Sequence, residues 1–463
     1  MLKKISLFSL ILFIFILAGC QKLRQNDSFS VNLEQTWREK TIKSIDTLQQ
    51  PLGLLRFSPD GQYLAVSSSS DGQLHIIDVK KQKIAYAKDL GIGRFTVAEY
   101  SPDSKYLYVG EQSPDGFLYC YSLADGRKIW QKRTADLLGY NLASKSYSSV
   151  NDIKLDSKGH LYFIGGRIFK QSSYKYNTIV YCLDAVSGRE LWCFPKTGTM
   201  DVSSYLLATD NKGEKLIVNT NGLNAVQNTK YRLGSVYILD GKTGKLEKEV
   251  FFPTDKLFKN AVIWHNINIT ADAKRIGVFS NDGTAYLLDD DGQLIWQKRL
   301  TVPKKINEVL LHASGRKCYF VNGQVIFSTS NTSDLGKGRP DLALEHPNSN
   351  TIFAYDLKGR LLWKWKGGGL LNEQRFSRDG RYMVCSVANN CATKEPGVHG
   401  VYLLKIDEKQ ANLVREFHSA KKGPIIAADI SADGRYIAGL EIPVLLEDNI
   451  SVLGKYQVHI WKR

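Results

Sequence analysis

The sequence predicts an all-β chain, an eight-bladed β-propeller of four-stranded antiparallel blades closed by an N-terminal strand that completes the last blade. Three observations predict it. Residues 54 to 90, LLRFSPDGQYLAVSSSSDGQLHIIDVKKQKIAYAKDL, hold four short apolar or alternating runs (Leu54 to Phe57, Tyr63 to Ser67, Leu74 to Val79, Ile84 to Lys88) separated by turn residues. The Ser58-Pro59-Asp60-Gly61 turn then recurs, its Gly position traceable through Gly61, Ser104, Gly159, Gly213, Ala273, Gly315, Gly380 and Gly434 at intervals of 42 to 65 residues; the shortest intervals suit a four-stranded blade of about 40 to 45 residues. Finally, the eighth repeat ends after three strands, at Val458-His459-Ile460-Trp461, while a solitary strand pattern around Trp37 precedes the first.

The turn has a chemical logic. Proline presets φ, the aspartate side chain bonds the backbone two residues on, and the last position tolerates a positive φ. Each turn leads into an apolar run, such as YLAV, YLYV, LYFI, KLIV, RIGV, CYFV, YMVC and YIAG.

A second landmark marks the outer hairpin of a unit: LADGRKIWQKR at 123 to 133, LDAVSGRELW at 183 to 192, LDGKTGKLEKE at 239 to 249, LDDDGQLIWQKR at 288 to 299 and YDLKGRLLWKW at 355 to 365. This D-x-x-x-G-x-x-x-W type signature resembles the quinoprotein-like (PQQ-like) propeller repeat, and the Ser-Pro-Asp-Gly turns resemble bacterial WD-repeat propellers. Both resemblances imply architecture and leave activity open, because propellers host enzymes and scaffolds alike.

The chain begins MLKKISLFSLILFIFILAGC: Lys3 and Lys4, an apolar run shorter than the ~20 residues of a membrane-spanning helix, then small residues and Cys20. Residues 1–19 read as an export signal. Leu17-Ala18-Gly19-Cys20 resembles the lipobox of bacterial lipoproteins, which implies lipidation of Cys20; at about 0.8 kcal/mol per buried CH₂, two or three acyl chains anchor stably. Gln21 after the cysteine implies, by the same resemblance, the outer membrane, facing the periplasm. Residues 20–32, polar and aperiodic, read as the lipidated tether, and 33–463 as the propeller. Trp37, in Leu33-Glu34-Gln35-Thr36-Trp37-Arg38-Glu39-Lys40, and Trp461 are then the expected partners in ring closure, which removes a free strand edge.

In an antiparallel blade the connections alternate between two sides. One set is uniformly short (SPDG, SPDS, SADG, ADG, DDDG, LKGR), and the other holds the insertions at 165–177, 220–234, 323–350, 386–399 and 440–456 within blades and at 134–151 and 252–265 between them. Long loops in compact domains concentrate function, so this face is the expected working surface.

Its charge is positive. The formal net charge is +16; less Lys3 and Lys4, it is +14. The candidate partner-binding residues set bases beside aromatics: Arg167, Lys170, Tyr174, Lys175, Tyr176, Lys230, Tyr231, Arg232, Lys256, Lys259, Lys455 and Tyr456. Such a surface suits an acidic protein patch or another anion. Nucleic acid is not expected for an exported lipoprotein. Cys182 with Cys193, and Cys385 with Cys391, are candidate disulfides in an oxidising compartment.

No GxSxG, HExxH, Walker-type loop or CxxC zinc pair occurs. The expectation is a non-catalytic, monomeric scaffold without cofactor or metal, anchored at the cell envelope. It is similar in plan to the propeller lipoprotein of the outer-membrane β-barrel assembly machinery. The quinoprotein resemblance implies one alternative, an enzyme using pyrroloquinoline quinone, although the adjacent cysteine pair of its alcohol-oxidising members is absent.

Overall fold

The structure, a computed structural model, describes residues 28–33, 53–68, 72–170, 174–223, 230–253, 256–258, 262–335, 344–388, 398–445 and 451–463. Its local rule is the Ser-x-Asp turn. Ser58 Oγ donates to Asp60 Oδ1 (2.5 Å) and accepts the N–H of Tyr63 (3.0 Å), while the N–H of Gly61 closes on Ser58 O (2.8 Å) with φ at 72°. The same bonds recur at Ser101 with Asp103, Ser377 with Asp379 and Ser431 with Asp433. Ser104 and Ala273 take the left-handed position without being glycine, at φ 57° and 61°.

These turns organise an all-β propeller of four-stranded antiparallel sheets. The inner strands are Gly53–Phe57, Arg94–Tyr100, Ser148–Leu155, Leu207–Thr209, His265–Ile269, Val309–Val321, Leu370–Phe376 and Ile425–Ile430. Each is followed by its hairpin partner and then two further strands outward. Ser148–Leu155 also pairs at its start with the end of Tyr106–Ser113, fusing two neighbouring units into one larger sheet.

Packing between units explains the outer-hairpin signature. The Trp192 ring lies against Gly244 of the following unit, where a Cβ would come within 2.4 Å of it, and Trp192 Nε1 donates to Gly241 O at 3.1 Å. Trp130 meets Gly188 and donates to Ala185 O; Trp296 meets Gly359 and donates to Leu357 O. The tryptophan of one unit thus docks on the turn glycine of the next, which needs both a bare Cα and a positive φ.

Several expectations are corrected. The turn expected at Gly315 is instead a bulge inside the long inner strand Val309–Val321; Gly315 is bare because Ser280 O and the Phe279 ring occupy the space of a side chain. The hairpin turn falls at Asn322-Gly323, both at positive φ, so CYFV belongs to the inner strand and Gln324–Asp334 is its partner. The insertion expected at 165–177 is a β-ribbon, in which His160–Lys170 and Tyr174–Asp184 stay paired to Lys170↔Tyr174.

The outermost strand beside Gln457–Lys462 is Ser28–Asn32, from within the expected tether, paired Ser28↔Trp461 to Asn32↔Gln457. Val31 and Leu33 pack there with Tyr456, Val458 and Ile442. Trp37 lies outside the described residues.

The disulfide expectation also fails for Cys182 and Cys193. Cys182 pairs with Trp192 and Cys193 with Tyr181, so the two sulfurs point to opposite faces of the sheet and both are free thiols. Cys385 is a buried free thiol, and Cys391 lies outside the described residues.

Candidate interaction face and axial cavity

The alternation of connections is realised as expected. Among the described residues, turns on one side (58–62, 101–105, 123–127, 241–245, 377–381, 431–435) are five residues or shorter, while the other side carries the long connections. Two of those long loops are locked together, Gly222–Leu223 pairing with Val262–Ile263, and a third closes on itself, Val444–Leu445 with Val452–Leu453. Buried histidines brace the same side. His265 Nε2–H donates to Gly234 O and His312 Nε2–H to Asn281 O, both at 3.0 Å. Burial depresses both imidazoles, that of His265 to about 4, so they stand neutral.

Exposed large apolar side chains gather on this loop-rich side. Ile92, Leu142, Leu257, Trp264 and Val302 lie on connections between units and Val452 in a within-unit loop, with Val302 60% and Leu142 57% exposed. Leu137, Tyr140 and Tyr205 also lie on connections between units and Ile168 in the ribbon; among the described residues the short-turn side contributes one, Val186, and the rest stand on outer strands such as Leu294–Arg299 and Ala411–Phe417. An excess of apolar exposure on one side makes that side the candidate interaction surface.

The expected basic-aromatic residues separate into groups. Lys230 sits 5.5 Å over the half-buried Tyr231 ring, which packs edge-on to Phe194 and Tyr237; Arg232 stacks 3.3 Å above Phe251. Lys175 and Lys455 are exposed and Tyr176 is half-buried. Lys170 and Tyr174 face each other in the ribbon register, and Lys256 lies in a short 3₁₀ turn, Lys256–Phe258, their side chains outside the described ones, as is Lys259 altogether. Tyr456 is a correction: it is fully buried beside Val31 and Val458 and holds Leu33 N–H through its carbonyl. An aromatic at a strand start is read equally well as core, and here the closing strand covers it.

Arg167 goes inward. Its Nε donates to Ser146 Oγ and its Nη1 to Leu138 O, both at 3.1 Å, and its guanidinium stacks 4.9 Å from Phe169; burial lowers its pKa. It lines a cavity of ≈480 Å³ at the loop-rich end of the propeller axis, with Arg56, Arg94, Lys317, Glu373 and Arg375. A second cavity of ≈460 Å³ opens at the short-turn end and adds Glu99, Lys154, Arg378 and Asp429.

Glu373 is shared by Arg56 (3.9 Å) and Arg375, and Lys154 Nζ meets Asp152 at 2.6 Å. Burial pushes the Asp429 carboxyl up to about 6 against the opposing pull of Arg56, and raises Glu99 as well. Burial pulls the Arg56 guanidinium down, yet Glu373, Asp429 and Glu99 together hold it above its ordinary value.

These axial charges were missed from sequence, although a signal existed. Arg56, Glu99, Lys154, Arg375 and Asp429 each stand two residues before the residue that opens the recurring turn, at Ser58, Ser101, Asp156, Ser377 and Ser431. On an inner strand that position faces the axis.

A third polar group joins three strands. His459 Nε2 meets Glu441 Oε2 at 2.6 Å, and its Nδ1 meets Ser30 Oγ at 2.8 Å. The spacing is that of a nucleophile, base and orienting carboxylate. Glu441 also accepts from Gln457 Nε2 and Lys455 N–H, His459 stacks flat on Trp461, and both axial cavities lie elsewhere, so the group acts as a tie across the sheet. Among the described residues, no group of three His, Cys, Asp or Glu is placed to hold a metal ion, and no helix is long and apolar enough to cross a membrane.

Comparison with known proteins agrees on architecture. Residues 42–78 match the WD domain, G-beta repeat family. A curated mouse (Mus musculus) protein, cilia- and flagella-associated protein 57, is 31% identical over 134 residues, 27% of this chain; the chain spans about a tenth (10%) of that protein's length. Among solved structures, the C-terminal WD40 domain of Sif2 superposes with a TM-score of 0.54 at 12% identity, covering 92% of this chain and 99% of that one, which shows a shared fold. The β-propeller domain of Cps50 (Swd1) from Myceliophteria thermophila covers 94% of this chain and 99% of its own, at 12% identity and a TM-score of 0.47.

Proposed function

We propose that the chain is a non-catalytic, lipid-anchored scaffold of the cell envelope: a monomeric, eight-bladed closed ring that binds a protein partner with an acidic surface through its loop-rich face. The observation that carries the reading is the exposure of Ile92, Leu142, Leu257, Trp264, Val302 and Val452 on that face. Arg94, Lys175, Lys230, Arg232 and Lys455 stand exposed among them, so apolar anchors would meet a basic rim.

Closure is supported by the pairing of Ser28–Asn32 with Gln457–Lys462, and by the core that Leu55 and Phe57 share with Ile426 and Leu440. Eight inner strands among the described residues support the blade number. The anchor rests on Lys3, Lys4 and the Leu17-Ala18-Gly19-Cys20 sequence.

The test is co-purification from detergent-solubilised membranes. A Trp264→Ala, Leu142→Ser double variant should lose at least 90% of the co-purified partner while keeping its melting temperature, whereas Leu413→Ser on an outer strand should keep it; equal retention in both would end the proposal. Separately, Cys20→Ala should move the chain to the soluble fraction, and membrane retention of that variant would refute the anchor.

A further inference from the structure

We infer that the loop-end axial cavity is a binding site for a small polyanion, a molecule carrying two or more phosphate or carboxylate groups. The cavity brings together Arg56, Arg94, Arg167, Lys317 and Arg375 with a single carboxylate, Glu373. That carboxylate is already bound to Arg56 and Arg375. Among the described residues no carboxylate lies within 4.0 Å of Lys317; burial, first of all, lowers its pKa, and the pull of Glu373 and, more weakly, Asp152 is opposed by Arg316 and Arg56. Arg375 Nε is a buried donor with no acceptor.

Unpaired cations converging in a low-dielectric space are unfavourable unless something compensates them. The acids nearer the far end of the axis compensate only in part: Asp429 and Glu99 act on Arg56, and Asp152 on Lys317. Asp152 is occupied by Lys154 there, and Asp429 accepts the N–H groups of Phe57 (2.7 Å) and Ile430 (2.9 Å). The loop-end cavity therefore keeps five cationic side chains against one carboxylate.

The volume, ≈480 Å³, falls within the range of small-molecule sites and exceeds what one carboxylate or chloride fills. Planar guanidinium groups on several sides suit phosphate and carboxylate oxygens, which accept paired N–H bonds. The mouth is open at Arg94, which is exposed, so a charged molecule can be drawn in from solution.

The experiment is calorimetric titration of the full chain, purified in a non-ionic detergent, with inorganic tripolyphosphate and, in a second arm, citrate. Expected are one-to-one binding, a raised melting temperature, and affinity falling at least tenfold between 50 and 500 mM NaCl. Lys317→Met should weaken binding at least tenfold while leaving the ligand-free melting temperature equal or higher, because it removes a half-buried charge without an ion-pair partner among the described residues; a residue with a merely structural role would lower it. Arg94→Gln, at the exposed mouth, should weaken binding without touching the fold and serves if Lys317→Met does not fold. Binding of tripolyphosphate alone would mark a phosphoryl ligand, and comparable citrate binding the wider oxyanion class. Failure of both to bind at millimolar concentration, or unchanged affinity in both variants, would overturn the inference. The outcome is independent of partner capture by the outer rim.

Discussion

Asp429 and the buried histidines pull the pH response of this protein in opposite directions. The Asp429 carboxyl, raised by burial to about 6, holds its proton more tightly folded than unfolded, where it titrates near 4. Its contribution is therefore fully present below about pH 4 and lost as pH rises through about 6. His75, His265 and His399 are depressed by burial to about 4, so their contribution is present above about pH 6.5 and lost as pH falls through about 4. Asp429→Asn removes one of the opposing slopes, whose sign Glu99 and Glu111 share. The gap in melting temperature between variant and wild type should grow more negative as pH drops from 6 to 4, read by thermal unfolding at half-unit steps; a constant gap would show that Asp429 does not titrate there. The residue scale is also where a repeat pattern was legible and overlooked, since the charged position before each turn announces an axial side chain once the inner strand is located.

At the scale of the element, the outer hairpin is a docking device as much as a turn. Its glycine must be bare because the neighbouring unit's tryptophan lies on it, and its aspartate orders the turn, as Asp240 does by accepting the N–H and Oγ1–H of Thr243 at 2.7 Å. Trp192→Ala should cost about 3–5 kcal/mol in urea unfolding, since the ring fills the seam between two units. Gly244→Ala should cost at least about 1 kcal/mol, from the left-handed φ alone, before the clash with Trp192 is counted. If the tryptophan variant lost less than about 1 kcal/mol, the seam would not depend on it. The shift of one hairpin from Gly315 to Asn322-Gly323 shows how such an element is misread: an isolated glycine looks like a turn, yet Gly315 is needed for a close approach by the preceding unit, and the true Asn-Gly turn lay seven residues on.

For the whole molecule, the decisive contact is between chain ends. Val31 is buried among Tyr456, Val458 and Ile442, and Ser30 joins the His459 and Glu441 network. Val31→Asp should destabilise the protein by about 3 kcal/mol through a buried, unpaired carboxylate. It should also expose the Gln457–Lys462 edge, which would pair with other chains. Size-exclusion chromatography should show oligomers in the variant, and a monomer of unchanged stability would argue against the seam. Strand polarity fixes the two sides of each unit, so the long connections of neighbouring units fall on a common face.

Periodicity and turn chemistry were enough to establish from sequence that the chain is built of four-stranded units, where most inner turns fall, and which connections are long, because these depend on neighbours within a few residues. The tertiary structure alone decided which N-terminal strand meets Gln457–Lys462, that Tyr456 is core, that Cys182 and Cys193 face apart, and that cations from distant repeats share one cavity. Those outcomes turn on contacts between residues hundreds of positions apart, such as Ser28 with Trp461 or Arg56 with Glu373, and on which face of a strand each side chain occupies. Local pattern restricts both, but only packing of the assembled units selects among the registers it allows.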